Sequence, residues 1–396
     1  MLMPSSPIDT LAPEKQLPVC CARTRMPPET AGKIRALAAG ALNWDVLLSE
    51  AEGNAVVPLL HRQLNAIAAD LVPTEQMRRV SEASRANTLR CLSLTAALVQ
   101  ILRLFQSEGI VALPYKGPVL AAQSYGDVLL RQFDDVDIIV RDRDMAKAHG
   151  VMLRLAYEAK FPGPMSPDLD SPLVPGEYKY YSETRAAIVE LHTEQTLRHF
   201  PVAPDLDEFS ARGVTVNLGG HDVRTFSPED ALLAICVHGS KDFWARIAWI
   251  ADVSELIQSH PELDWKAINA RAEALQVQRM LHVGLILAAR VLDAALPEEI
   301  AGRVKEDRHA EEIATELERS LLDSDAPTMG ALERFRFRRR LVPGFVAGWR
   351  YALRLTMAPA EEDWLTLGLP RALAPLYILL RPLRLIRKYG RSHETA

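Results

Sequence analysis

YKGPVLAAQSYGDVLLRQFDDVDIIV, residues 115 to 140, runs a turn, a helix start and a strand together in one block. Just before it, Ile110–Pro114 is a short apolar run bounded by Gly109 and Lys116–Gly117, which predicts a buried strand. Pro118 follows at once, and proline is favoured at the first position of a helix, so PVLAAQSYG is expected to coil. Val136–Val140 is a second strand with its acids at the front. On a strand, Asp135 and Asp137 point to one face, while Val136, Ile138 and Val140 point to the other and can anchor it in a core. Two carboxylates so placed repel each other, and a divalent cation removes that cost; carboxylate oxygens suit hard Mg²⁺, which also accepts phosphate oxygens. The DxD pair alone is common at solvated strand ends. Lys116–Gly117 alone reads as an ordinary strand-to-helix turn with an exposed lysine, or as a turn where a phosphate meets free backbone N–H groups.

Working outward, Asp142 or Asp144 caps a helix reaching about Tyr157. A loop rich in Pro, Gly and Asp spans Phe161 to Gly176, and YKYYS, AAIVELH, VTVNL and DVRTF read as strands. Strand, helix, strand, helix and then several strands predict an α+β fold around a mixed sheet, with helical regions on both sides in sequence. The expected units are a mobile leader over 1–30, a helical region over 31–106, the sheet-bearing core over 107–226, a helical domain over 227–323 and a basic helical tail over 324–396. In AAIVELH, Glu190 and His192 share a face opposite Val189 and Leu191. Two strands thus present Asp135, Asp137 and Glu190 towards one point.

The chain has 396 residues, 48% hydrophobic and 24% charged, with a formal net charge of −5, which argues against a surface built wholly to hold nucleic acid. Cys20, Cys21, Cys91 and Cys236 form no CxxC pair, so a reducing, cytoplasmic setting is expected. Six prolines in the first thirty residues and no basic start argue against a secretory signal there. No apolar run reaches the roughly eighteen residues that span a bilayer. His238, Lys241, Trp249 and Asp252 fall near one helical stripe, either lining a cleft or packing on the sheet with Asp252 paired to His238 or Arg246. RFRFRRR, Arg334–Arg340, reads as a solvated helix face, an RNA contact through phosphates and stacking, or a membrane contact. The last helix carries Arg381, Arg384, Arg387, Lys388 and Arg391 with no acid among them, and suits docking on its own protein or peripheral contact with a membrane.

The 115–140 block resembles the signature of the uncharacterised nucleotidyltransferase family, a branch of the polymerase-β-like superfamily: Lys116–Gly117, then Arg131, then Asp135–Val136–Asp137 before an apolar strand. Glu190–Leu191–His192 is similar to that family's acid-Leu-His pattern, and HGSKDFWARIAWIADVSELI to its helical segment, with His238, Trp249 and Asp252. The likeness runs over roughly residues 100 to 390. It departs from the wider superfamily in having Lys–Gly for Gly–Ser and a longer gap between the turn and the DxD.

The resemblance implies a Mg²⁺-dependent enzyme, with two ions (or Mn²⁺) held by Asp135, Asp137 and Glu190, that moves a nucleoside monophosphate from an NTP to an acceptor. Lys116 and Gly117 would hold phosphates, Arg131 would neutralise developing charge and His192 would stand behind the site. The acceptor is left open among small molecules, peptide, protein and RNA. Two other readings stand beside it: a non-catalytic nucleotide-binding or scaffold protein, and an RNA-directed, toxin-like transferase using the arginine cluster.

Overall fold

The computed structural model describes residues 7–159, 176–193, 199–202, 204–322, 329–358, 363, 366, 373 and 376–390. Helices α1 (Pro13–Cys21), α2 (Pro28–Ala38), α3 (Trp44–Gly53), α4 (Val57–Ile67) and the long α5 (Thr74–Ser107) lead into strand β1 (Ala112–Pro114). The short α6 (Gly117–Leu120) continues as a π turn to Tyr125 before β2 (Asp135–Val140), α7 (Met145–Arg154), β3 (Glu158–Ala159), β4 (Glu177–Ser182) and β5 (Ala187–His192). Helix α8 (Leu206–Arg212) and the hairpin β6 (Val214–Leu218) and β7 (His221–Thr225) follow. Then come α9 (Pro228–Lys241), α10 (Ile247–Ser259), α11 (Trp265–Ala274), α12 (Gln278–Leu292), α13 (Glu298–Glu306), α14 (Arg308–Leu322), α15 (Ala331–Leu341), α16 (Phe345–Met357) and α17 (Leu376–Gly390).

The expected α+β fold with a mixed sheet is found. Five strands lie in the order β1-β2-β5-β4-β3, with β2 and β5 parallel and the other neighbours antiparallel. One face of the sheet, carrying Val136, Ile138 and Val140 of β2 with Val189 and Leu191 of β5, packs against α7 and α5. Helix α5 meets it with Cys91, Leu94, Leu98, Ile101 and Phe105, spaced three and four apart as one apolar stripe requires. By length and composition α5 is apolar enough to cross a membrane, although polar residues interrupt it, and 44% of its most apolar stretch is buried in this protein. The other face of the sheet meets the helical half of the molecule through Leu113 and Ile139, with Leu120 of α6 in the same core. Chemistry placed on that face is therefore sandwiched between strands and helices.

The leader expected over 1–30 is corrected in its larger part. Leu17, Val19, Cys20 and Cys21 of α1 are buried in the same core as α9 to α14. Thr24 donates from its N–H (2.8 Å) and its hydroxyl to the buried carboxylate of Glu255 on α10. Proline at the first turn of α1 and of α2 starts those helices rather than preventing them. Residues 1–6 and the loop expected over 161–176, except Gly176, lie outside the described residues.

Candidate metal and nucleotide site

Parallel pairing of β2 with β5 sets Asp137 opposite Glu190 and Ile139 opposite His192. The even side-chain period then turns Asp137, Glu190 and His192 to the same face. One ligand atom from each of the three lies within 4.8 Å of the others. His192 Nε2 is 2.8 Å from Asp137 Oδ1 and 3.6 Å from Glu190 Oε2. Lys116 reaches in from the β1–α6 turn and donates from Nζ to the same Asp137 oxygen at 3.2 Å. Across the antiparallel β4–β5 pair, Lys179 stands opposite Glu190, with Nζ 2.8 Å from Glu190 Oε1 and 3.4 Å from Glu177 Oε1.

Burial and charge set the protonation of this group. Burial by itself raises the Asp137 carboxyl, but the Lys116 ammonium and the His192 hydrogen bond outweigh it and hold it well below the usual carboxylate range. Asp137 is therefore ionised, and His192 Nε2–H donates to it. Asp135, half-buried at the start of β2, is pushed well up by burial and by the charges of Asp137 and Glu190. Lys116 is held charged by Asp137 against the pull of burial. A cavity of about 70 Å³ opens on Lys116, Glu190 and His192 of this group and is lined besides by Tyr115, His238 and Lys241, among others. Burial and the cations Lys116 and Lys241 keep His238 neutral there, by lowering its pKa well below the ordinary histidine value. Helix α9 thus closes the site from the helical side, as one reading of the His238 and Lys241 stripe expected.

The metal-competent group differs in one member from the triad drawn from sequence: it is Asp137, Glu190 and His192, with Asp135 outside it. Two carboxylates and an imidazole fit a first-row divalent ion such as Mn²⁺ at least as well as Mg²⁺, which prefers oxygen alone. Ligation through Nε2 needs the other tautomer of His192, since that atom carries the proton it donates to Asp137. Gly117 is buried with φ +52°, and a Cβ there would stand 3.1 Å from the Asp135 carbonyl. Its observed role is to let the Lys116 turn pack on the end of β2, whereas the sequence suggested an open phosphate cradle.

Arg131 is also placed differently from expectation. Nε and Nη2 donate to the two carboxylate oxygens of Asp252 on α10 at 2.7 and 2.8 Å, and the Tyr125 hydroxyl donates to the same carboxylate at 2.8 Å. Arg131 does not line the cavity, and Asp252 pairs with it rather than with His238 or Arg246. Nothing in the sequence points to Lys179, because its role depends on β4 lying beside β5 in this register. The arginine cluster lies on α15, where Arg334 stacks 4.7 Å over Phe243, Phe337 packs on the same ring, and Arg340 pairs with Glu316 at 2.7 Å. Those contacts dock the helix on its own protein.

No curated protein matches the chain. Among solved structures, an antigenic nucleotidyltransferase-like protein from Paracoccidioides brasiliensis is similar at 16% identity and a TM-score of 0.31, over 53% of this chain and 96% of that one. The profile described as "uncharacterised nucleotidyltransferase" matches residues 40–293, which takes in β1 to β7, the Lys116–Asp137–Glu190–His192 cluster and the helices that close over it. The chain belongs to the uncharacterised nucleotidyltransferase family.

Proposed function

We propose that the protein is a divalent-metal-dependent nucleotidyltransferase that moves a nucleoside monophosphate from an NTP to an acceptor hydroxyl. The observation that carries this is the convergence of Asp137, Glu190 and His192 on one point, from strands 53 residues apart, beside the Lys116 ammonium. Asp137, Glu190 and His192 would hold one cation, and Asp135 with Asp137 a second. Bound there, divalent cations neutralise triphosphate charge and stabilise the attacking and leaving oxygens of an in-line displacement. Lys116 supplies a fixed positive charge at the cavity wall for the β- and γ-phosphates. Glu190 is placed to accept the acceptor's proton, and neutral His238 can hydrogen-bond a substrate without adding charge. The protein is expected to work in the cytoplasm.

A second reading, a nucleotide-binding scaffold without turnover, has one observation in its favour. Lys116 and Lys179 pair with Asp137 and Glu190, and His192 hydrogen-bonds Asp137, so the carboxylates have partners within the protein itself. One experiment separates the two. Protein incubated with labelled NTP, Mg²⁺ or Mn²⁺ and a cell extract is expected to place label on an acceptor, and Asp137→Asn to lower that transfer by about 100-fold or more. NTP binding with no labelled product in any extract would decide for the scaffold.

A further inference from the structure

The last two described helices face the wrong way for a protein surrounded only by water. On α17 two of the charged residues turn inward: Arg381 and Arg384 both pair with Asp363, itself fully buried. The leucines turn outward. Leu376, Leu379, Leu383 and Ile386, spaced three, four and three apart, form one stripe, and Leu379 and Leu383 are 62% and 64% exposed. Helix α16, which packs beside α17, exposes Phe345, Val346, Trp349 and Leu353, the first two above 70%. Exposed apolar residues scattered singly need no explanation, but eight on two neighbouring helices do.

We propose that α16 and α17 form a docking surface for an anionic lipid bilayer. The charge pattern selects this occupant. The two helices carry Arg350, Arg354, Arg381, Arg384, Arg387 and Lys388 and no acid, in a chain whose net charge is −5. Arg381 and Arg384 are taken up by Asp363, whereas Arg350 and Arg387 are exposed at the edges of the two apolar faces and Lys388 is exposed near the end of α17. Aliphatic side chains enter the acyl boundary, Trp349 and Phe345 suit the headgroup level, and basic side chains meet anionic headgroups. A second copy of the chain would set the exposed Arg350, Arg387 and Lys388 against the same three cations. Pro382 inside α17 also removes an amide from the helix that such a pairing would need straight. Nucleic acid would satisfy the cations but leave the leucine stripe in water.

Flotation of the full chain with vesicles tests this. Binding is expected to phosphatidylcholine vesicles containing phosphatidylglycerol, and to fall away in high salt. Pure phosphatidylcholine is expected to bind at least tenfold more weakly, by the ~1 kcal/mol that each basic residue contributes at an anionic surface. Leu379→Asp with Leu383→Asp, and separately Arg387→Gln with Lys388→Gln, should each weaken binding by about tenfold or more. Both pairs are surface changes, so the circular dichroism melting curve should be unchanged; should the leucine pair misfold, the charge pair carries the test. The tryptophan emission shift on binding should shrink in Trp349→Phe. The proposal is overturned by equal binding to neutral and anionic vesicles, or by binding that neither double variant alters. A dimer abolished by the leucine changes without vesicle binding, or retention of RNA in place of vesicles, would also overturn it.

Discussion

Two carboxylate clusters draw their cations from the same 26-residue block, and they differ in what they leave available. Asp252 receives Arg131 through two hydrogen bonds and Tyr125 through a third, and its side chain is 2% exposed. None of these three residues lines the cavity. Asp137 is almost as buried, but its Oδ1 is held by Lys116 and His192, two residues that line the cavity. The first arrangement is a rivet between the sheet and α10. The second is a charge held by flexible or tautomeric partners that can move aside. Ion-pair chemistry alone does not mark a site; partners that a ligand can displace do.

The comparison is broken most directly at Asp252. Asp252→Ala strands a buried guanidinium and a buried hydroxyl, so a loss of about 3–5 kcal/mol is expected in denaturant unfolding. Asp137→Asn, which keeps a polar partner for Lys116, should cost roughly 1 kcal/mol. Equal losses from the two would erase the distinction between rivet and site. Gly117→Ala asks for a left-handed backbone from alanine with its Cβ against the Asp135 carbonyl. It should cost about 1–2 kcal/mol and weaken Mn²⁺ binding by displacing the front of β2. The smallest effect sharpens the contrast from the other side. Lys179 is one third exposed and competes for Glu190, so Lys179→Met should tighten Mn²⁺ binding in calorimetry by roughly threefold, the scale of a solvent-screened pair. Unchanged or weaker binding would mean that the ammonium is not a competitor.

The fold was largely legible, for a definite reason. Strands β2 and β5 carry clean alternation, with Val136, Ile138 and Val140 against Asp135 and Asp137, and that alternation decides both the core face and the site face. Asp137, Glu190 and His192 follow from that pattern and Lys116 from the Lys116–Gly117 turn ahead of Pro118, and the structure brings the four together. Arg131 was misplaced because its partner, Asp252, lies 121 residues away on a helix whose packing no local pattern fixes. Lys179 was invisible for the same reason: in YKYYS it is merely the polar member of an alternation until β4 lies beside β5. The proline-rich beginning misled because prolines at helix starts and prolines in coil look alike in composition. What separates them is the apolar run Leu17, Val19 and Cys20–Cys21, which has a core to enter only once α2, α3, α4 and α12 pack around it.

The parallel seam between β2 and β5 has one more consequence. Slipping β5 by a single residue would swing Glu190 and His192 to the opposite side and leave Asp137 without either. A bound cation would therefore act as a gauge of strand alignment, since it can be held only by the chain that has paired these strands correctly. Because it favours that one alignment over every misaligned or unfolded alternative, the ion should raise the melting temperature with its own concentration.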